Sequence, residues 1–191
     1  MTERFIPAHG GYRKLLSYQR AEIVYDATVR FCRRFLDRRD RTVDQMVQAA
    51  RSGKQNIIEG SMASGTSKEM EIKLTNVARA SLEELLADYQ DFLRLRGLAE
   101  WDKDSMPVKR LRGLIRVPGA NYESLKAELE HPDPAIAANT IIGLIKVTSY
   151  LLDRQIAQLE KEFVEQGGLR ERMTRARLAE RNRNPGRRPV N

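Results

Sequence analysis

The side chains that could carry out chemistry in this 191-residue chain are few. There is one cysteine, Cys32, on the inner side of the first predicted helix, where packing is its expected role. His9 lies in the N-terminal arm and His131 in a loop next to proline, and the sequence predicts a catalytic partner for neither. No Glu-x-x-His pair for a di-iron site appears on any predicted helix, and no phosphate-binding or dinucleotide-binding glycine pattern is present. We therefore predict no catalytic residue, no metal site and no cofactor.

Two glutamates make the strongest case for an enzyme. Polar residues recur at helical spacing on two predicted helices, namely Arg51, Gln55, Glu59, Asn76, Arg79 and Glu83. Glu59 and Glu83 could in principle act as an acid/base pair. Charges at this spacing more often pair with one another, so we favour a solvated or inter-subunit salt-bridge network.

Arginine is the functional side chain that the sequence offers in excess. One cluster lies at the end of the first predicted helix and in the loop after it; we take as its binding members Arg34, Arg38, Arg39 and Arg41. A second occupies the C-terminal tail, and its candidate members are Arg170, Arg172, Arg175, Arg177, Arg181 and Arg183. Because a guanidinium can bind two phosphate oxygens at once, both clusters predict contacts with nucleic acid. For the first cluster, helix-dipole complementation and solubility are the alternative roles.

The net charge of +8 is concentrated in the tail, residues 169–191. Eight arginines against two glutamates give the tail +6 and leave the rest of the chain at +2. A nearly neutral body with a cationic tail indicates an anionic partner. The tail lacks aromatic residues for base stacking, so we expect phosphate-led binding with little sequence preference. We predict a short helix to about residue 181 that orders on contact with RNA or DNA; a disordered, solubilising tail is the alternative.

Four long amphipathic segments must position these residues, and they predict an all-α fold. We expect an antiparallel up-and-down four-helix bundle over residues 15–168, after an N-terminal arm at 1–14 and before the tail at 169–191. The long helices are expected at about 15–38, 43–60, 67–96 and 134–166, with short extra helices between the third and the fourth. The composition, 41% hydrophobic and 6% aromatic, is typical of helical bundles.

Local signals mark the ends of these helices. Capping boxes are predicted at Thr42 with Gln45 and at Thr66 with Glu69, because a hydroxyl and a side chain three residues later can satisfy free amides. Gly97 is a predicted helix stop, and Asp133 before Pro134 a predicted start.

The first helix has a wider apolar arc than one bundle seam requires, which predicts contact with other copies of the chain. The predicted interface residues are Tyr18, Tyr25, Phe31, Phe35 and Lys54. In the second helix, Gly53 costs roughly 1 kcal/mol relative to alanine, so a close helix contact is expected there.

Three segments of the second and third helices resemble a known family: residues 48–53 (QAARSG), 55–61 (QNIIEGS) and 76–84 (NVARASLEE). They look like the small four-helix-bundle proteins encoded in intervening sequences of bacterial 23S ribosomal RNA genes. The likeness runs from about Tyr18 to Trp101 and continues more weakly in the last long helix. With its longer segment between Gly97 and Pro134 and its basic tail, the chain resembles the longer, suffix-bearing form.

The resemblance implies an oligomer that binds nucleic acid. Relatives include the accessory variability determinant of diversity-generating retroelements, a pentameric barrel that works beside a reverse transcriptase, and from it a pentamer is expected. The leading hypothesis is a non-enzymatic homo-oligomer that binds RNA. The alternative is a protein-interaction scaffold, for example for a reverse transcriptase. No signal peptide or membrane-spanning segment is apparent, so we expect a cytoplasmic protein.

Overall fold

The computed structural model describes residue 6, residues 9–117 and residues 119–183. These residues form helices joined by loops, with no β-strand among them, which confirms the predicted all-α class. After a 3-10 turn at Tyr12–Lys14, the helices are α1 (Leu16–Phe35), α2 (Arg41–Ala63), α3 (Lys68–Leu95), α4 (Met106–Arg116), α5 (Tyr122–Leu129), α6 (Pro134–Gln166) and α7 (Leu169–Arg183). The two short helices expected between the third and fourth long helices are thus present as α4 and α5.

The four long helices α1, α2, α3 and α6 share one apolar core. Both α1 and α3 pack against α2 and against α6. An aromatic group lies near one end of this core, where the Phe31 ring is 5.0 Å from Tyr89 and 4.8 Å from Phe92 between ring centroids. The Tyr89 hydroxyl donates to Thr28 within the core (3.2 Å). Burial of each such side chain stabilises the fold by roughly 1.5–3 kcal/mol.

Pairs of residues fix which helix ends lie together. Ser17, at the start of α1, donates to Gln155 in the second half of α6 (2.8 Å). Arg34, near the end of α1, donates to the backbone oxygen of His131, just before α6 (3.2 Å). The end of α1 and the start of α6 therefore lie at the same end of the molecule.

The observed helix ends differ from the predicted ones by up to three residues. α1 ends at Phe35 rather than at 38, because Leu36 has an extended backbone and the Asp37 carboxylate accepts from the Arg39 amide (2.8 Å). α2 spans 41–63 rather than 43–60, and α3 spans 68–95 rather than 67–96. α6 spans 134–166, as predicted.

Both predicted capping boxes are wrong, and other residues cap the helices. Asp40 caps α2 by accepting from the Thr42 amide (2.9 Å), so that Thr42 lies inside the helix. Ser67 caps α3 by accepting from the Met70 amide (3.1 Å). In each case a second capping residue adjacent or nearly adjacent in sequence competes for the same role.

The two other end signals are confirmed. Gly97 follows α3 with a φ of +65°, and the Leu98 amide donates to the Leu93 oxygen (2.9 Å), the six-residue bond of a glycine-terminated helix. Asp133 accepts from the Ala135 amide at the start of α6 (2.8 Å), with Pro134 in the first turn.

The tail is helical through Arg183, two residues beyond the predicted limit, and α7 buries no residue. The rest of the tail, with Arg187 and Arg188, lies outside the described residues, as do residues 1–5, 7 and 8 of the predicted arm at 1–14. Gly10 of the arm donates from its amide to the Ser61 oxygen (3.1 Å).

One stretch, Pro134–Arg183, contains an 18-residue window with a mean hydropathy of 1.5, enough by length and composition to cross a membrane. Within the molecule 61% of that window is buried. A core helix of a globular protein meets the same criterion, so the expectation of no membrane segment stays a prediction.

Candidate nucleic-acid interface

The six arginines of α7 form two rows on opposite sides of the helix. At about 100° per residue, Arg170, Arg177 and Arg181 share one side. Arg172, Arg175 and Arg183 lie on the other. With Glu171 and Glu180 the helix has a net charge of +4. Two apolar residues, Met173 and Leu178, are 42% and 52% exposed, so apolar burial does not hold α7 in place.

The two arginine rows differ in their contacts with the rest of the chain. Arg175 donates to the Gln166 oxygen at the end of α6. Arg172 is half-buried, and its Nε has no partner among the described residues. Arg170, Arg177 and Arg181 are exposed, and none forms an ion pair with a described residue. We call these three the outer row; it is the part of α7 most accessible to phosphate.

Arg30 and Arg34, near the end of α1, form contacts within the chain. Arg30 pairs with Glu130 at the end of α5 and lies over the Tyr122 ring, 4.5 Å from its centroid. Hydrogen bonds from Tyr122 and Arg30 hold the pKa of Glu130 below its usual value against the opposing effect of desolvation. Arg34 bonds to His131 and lies 4.8 Å from the Phe35 centroid. These arginines attach α5 to α1, so Arg34, a predicted phosphate ligand, has a structural use.

The remaining loop arginines, Arg38, Arg39 and Arg41, are exposed, and their side chains form no ion pair with the described part of the chain. Asp40 lies among them; the Thr42 amide and hydroxyl lower the pKa of Asp40, and the charge of Arg96 adds to this. Arg96, at the end of α3, was not among the predicted residues. Its position before Gly97 was visible in the sequence, but only the packing of α3 brings it to this loop.

The two predicted clusters do not form one site. The loop cluster lies where α1 ends and α6 starts, whereas α7 follows the end of α6. α6 has 33 residues and is therefore about 50 Å long. Residues 38–41 and α7 thus present two separate basic surfaces at opposite ends of the molecule.

The predicted oligomer interface needs a correction. Phe31 is 1% exposed and Tyr18 is 9% exposed, so both are covered within their own chain. Phe31 packs in the aromatic core, and Tyr18 packs against the Tyr12 ring (4.9 Å between centroids) while its hydroxyl donates to Glu22 (2.7 Å). The wide apolar arc of α1 is explained largely by its contacts with α2, α6, α5 and the 3-10 turn.

The other three interface residues are half-buried and stay predicted. The Nζ of Lys54 on α2 lies 4.3 Å from the centroid of the Tyr25 ring on α1, which is a cation–π contact between the two helices. Phe35 lies beside Phe31 at the end of α1 (5.0 Å between centroids). The α1–α2 face also has partly buried aliphatic residues: Val29, Leu36, Val43, Val47 and Ile58.

The residues considered for acid/base chemistry lie apart. Gly60 lies against Glu71–Thr75, and Gly53 lies against Ala78 and Leu82, which sets the register of α2 on α3. In this register, Glu59 and Glu83 are roughly 13 Å apart along the helix axes. Arg79 pairs with Asp153 of α6 (3.3 Å), an ion pair within the chain.

Two further groups have local structural uses. Burial raises the pKa of Cys32 to about 12, which opposes formation of the reactive thiolate. The His131 Nδ1 accepts from the Asp133 amide in the turn before α6 (3.1 Å), so this histidine has a partner that the sequence pattern missed.

No protein-family model, curated protein or solved structure matches this chain.

Proposed function

We propose that this chain is a non-enzymatic accessory protein that binds nucleic acid, with RNA as the favoured ligand. The observation that carries the proposal is the outer row of α7, three exposed arginines on a helix that buries nothing. A helix that adds no apolar contact to the core keeps its charge available for a partner. Residues 38–41 provide a second, independent contact with phosphate.

The proposed architecture is an antiparallel up-and-down bundle of α1, α2, α3 and α6. The direction of the paired contacts supports it. On α3 and α6, Lys68 pairs with Glu162 (3.2 Å) and Arg79 with Asp153, so later residues of one helix meet earlier residues of the other. The same reversal relates Gly53 and Gly60 of α2 to α3. Antiparallel contacts between neighbouring helices are usual for such bundles.

The proposed assembly is a homo-oligomer built on the α1–α2 face. Tyr25, Phe35 and Lys54 remain from the predicted interface, and the partly buried aliphatic residues of that face extend it. On α2, Val43, Val47 and Ile58 lie within about 60° of one another and form an aliphatic stripe that is interrupted by Lys54. A pentamer is proposed from the family resemblance alone.

The proposed relationship is to the intervening-sequence family of 23S ribosomal RNA genes. The three segments that resemble it all belong to α2 and α3. They meet where these helices approach most closely: Ser52 and Ser81 share a hydrogen bond (2.9 Å), and Gly53 lies against Leu82. The resemblance therefore concerns residues that determine one helix contact, which supports a common fold more than a common ligand.

A second candidate is the protein-interaction scaffold, for example a partner of a reverse transcriptase. Met70 and Val77 on α3 favour it, because they are two turns apart on the same side and are 46% and 45% exposed. Exposed apolar side chains in register suit a protein partner better than phosphate.

The test is a set of salt-dependent RNA titrations with matched arginine variants. One variant replaces the outer row (Arg170→Gln, Arg177→Gln, Arg181→Gln); its control replaces the inner row (Arg172→Gln, Arg175→Gln, Arg183→Gln). Each lost contact with single-stranded RNA should reduce the magnitude of the log-log salt slope by about 0.7. We expect a reduction of up to about 2 for the outer row and a smaller one for the inner row.

A third variant, Arg38→Gln with Arg39→Gln and Arg41→Gln, tests the other end of the molecule. Because the two surfaces are far apart, its effect on the binding free energy should add to that of the outer row. Equal slopes for the unchanged protein and all three variants would leave α7 as a solubilising extension. No binding at low salt by any of them would favour the scaffold.

A further inference from the structure

A cavity of about 490 Å³ lies between α4 and α6, beside Trp101. Its walls are mainly apolar and include Leu111 and Ile115 of α4 and Ile142, Val147 and Leu151 of α6. This volume is within the range of sites that take small organic molecules. Neither arginine surface of the proposed RNA interface contributes to it.

Asn139 is the one side-chain amide among the described residues of the cavity wall, and its hydrogen bonds are already made within the chain. Asn139 is 2% exposed; its Oδ1 accepts from the Trp101 amide (2.7 Å), and its Nδ2 donates to the oxygens of Ala99 and Ala135 (both 2.9 Å). A polar group placed beside it would therefore lose water without gaining a partner. The inner part of the cavity suits an apolar ligand body.

The rim of the cavity is cationic. Lys103, Arg112, Arg116 and Lys146 line it, and no carboxylate does among the described residues. Lys146 pairs with Glu100 (2.6 Å), and Lys103 lies between Asp102 and Asp104 in the sequence. Arg112 and Arg116 lie one turn apart on α4, are exposed, and pair with no acid in the part of the chain that is described. The unbalanced charge of the rim belongs mainly to these two arginines.

Buried contacts hold α4 over the cavity. Arg20 of α1 is 5% exposed and donates to the oxygen of Ile115 in the last turn of α4 (2.8 Å) and to that of Ala120 in the loop between α4 and α5 (2.5 Å). Gly143 of α6 lies against Leu111 with no room for a side chain. Because α4 is held at its centre and its end, the cavity exists without a ligand and needs little ordering to bind one.

We propose that this cavity binds a medium-chain carboxylic acid as its anion. The alkyl chain lies between α4 and α6, against Trp101, and the carboxylate is bound by Arg112 and Arg116 at the rim. Such a ligand matches both parts of the site, because its alkyl chain needs no hydrogen-bond partner in the cavity interior and its carboxylate can pair with the two rim arginines.

Trp101 makes binding measurable, because it is the only tryptophan and lies in the cavity wall. Sodium decanoate, below its micelle concentration, is titrated into the full chain while tryptophan fluorescence is followed. We expect a saturable change with decanoate, weaker binding of decanol, and no saturable change with decyltrimethylammonium. Binding of decanoate should weaken with added salt, and that of decanol should not.

Variants then separate the charge from the cavity. Arg112→Gln with Arg116→Gln should weaken decanoate binding about tenfold, equivalent to about 1.4 kcal/mol, and leave decanol unchanged. Lys109→Gln is the matched control, because Lys109 is an exposed cation of the same helix that lines no part of the cavity. Val147→Phe, which reduces the apolar volume, should weaken both ligands.

The proposal is overturned if decanoate fails to saturate the signal, or if decanol binds as tightly as decanoate. It is also overturned if the double arginine variant binds decanoate like the control variant. If Val147→Phe does not fold, as judged by circular dichroism, the head-group series and the arginine variants decide without it.

Discussion

Arg20 is a buried cation that forms no ion pair with a carboxylate of the described residues. Its guanidinium bonds to the oxygen of Ile115 in the last turn of α4, where a helix leaves carbonyls unpaired and carries partial negative charge, and to the oxygen of Ala120 in the loop before α5. Burial lowers the pKa of Arg20, but arginine stays charged because its ordinary pKa is so high. The residue therefore joins α1 to α4 through the backbone.

Replacing Arg20 with leucine should destabilise the protein by roughly 1–3 kcal/mol, because two carbonyls would lose their buried donor. Urea unfolding followed by circular dichroism measures the change. Arg33→Leu is the control, since Arg33 is exposed on the same helix, and it should stay within about 0.5 kcal/mol of the unchanged protein. Equal unfolding midpoints for the two variants would contradict this role of Arg20.

Asp88 on α3 is a carboxylate in an unfavourable place. Desolvation raises the pKa of Asp88, and repulsion from Glu84 and Asp91 raises it further. Its Oδ2 is buried and has no hydrogen-bond partner among the described residues. The folded state therefore holds the Asp88 proton more tightly than the unfolded state, and ionisation at neutral pH costs stability.

We expect Asp88→Asn to raise the melting temperature modestly at neutral pH. The gain should shrink as the pH falls through the raised folded-state pKa, and vanish below the unfolded-state pKa, where Asp88 is protonated in both states. Thermal melts across the acidic range measure it, with the exposed Asp104→Asn as the control. A gain that is constant with pH would show that charge is not its cause.

At the scale of elements, the α2–α3 contact depends on small residues. A Cβ at Gly53 would lie 2.8 Å from Leu82 Cδ2, and Leu82 is fully buried and has little space to move. The close helix contact predicted from the sequence at Gly53 is confirmed. The tight approach also allows the hydrogen bond between Ser52 and Ser81.

Gly53→Leu should therefore destabilise the protein by roughly 1–3 kcal/mol through overpacking. Gly113→Leu is the matched control, because Gly113 is also inside a helix but a Cβ there meets nothing within 4 Å. The control should be neutral or more stable by up to about 1 kcal/mol, since leucine favours helix more than glycine does. Denaturant unfolding of the two variants compares them, and equal losses would mean that helix packing does not limit position 53.

At the scale of the whole molecule, the two arginine surfaces are separate from each other, and the α1–α2 face extends from residues 38–41 towards the end that α7 follows. Residues 38–41 lie at one end, α7 follows the other end, and the aliphatic stripe of α2 runs between them. An oligomer that pairs α1–α2 faces would leave both basic ends of every chain open. Assembly would then increase the number of phosphate contacts without adding any new one within a chain.

Light scattering should accordingly give a mass several times the 21.9 kDa of the chain. Val47→Glu with Ile58→Glu should reduce that mass, because charge on a buried interface stripe is costly, while circular dichroism stays helical. Val77→Glu on α3 is the control, as Val77 is 45% exposed on a different helix. A monomeric mass for the unchanged protein would refute the assembly, and an unchanged mass for the double variant would move the interface elsewhere.

Local sequence signals are enough to predict the helices and several of their ends. Periodicity and caps are properties of neighbouring residues, so α6 was placed at 134–166, Gly97 was identified as a stop, and Gly53 as a close contact. Where two capping residues competed, as at Ser67 beside Thr66, local rules did not choose between them. The basic charge of α7 is likewise evident from the sequence, because it depends on composition alone.

The neighbour that covers each helix face depends on how the helices pack, which no local signal predicts. Phe31 was assigned to a partner because a helical wheel shows how wide an apolar arc is and not which neighbour covers it. For the same reason, the sequence did not predict the buried role of Arg20, whose acceptors lie 95 and 100 residues away. Nor did it predict the cavity, whose walls come from α4 and α6. The separation of the two arginine clusters was not predicted either, since distance in space follows from the direction of packed helices and has no local signal in the chain.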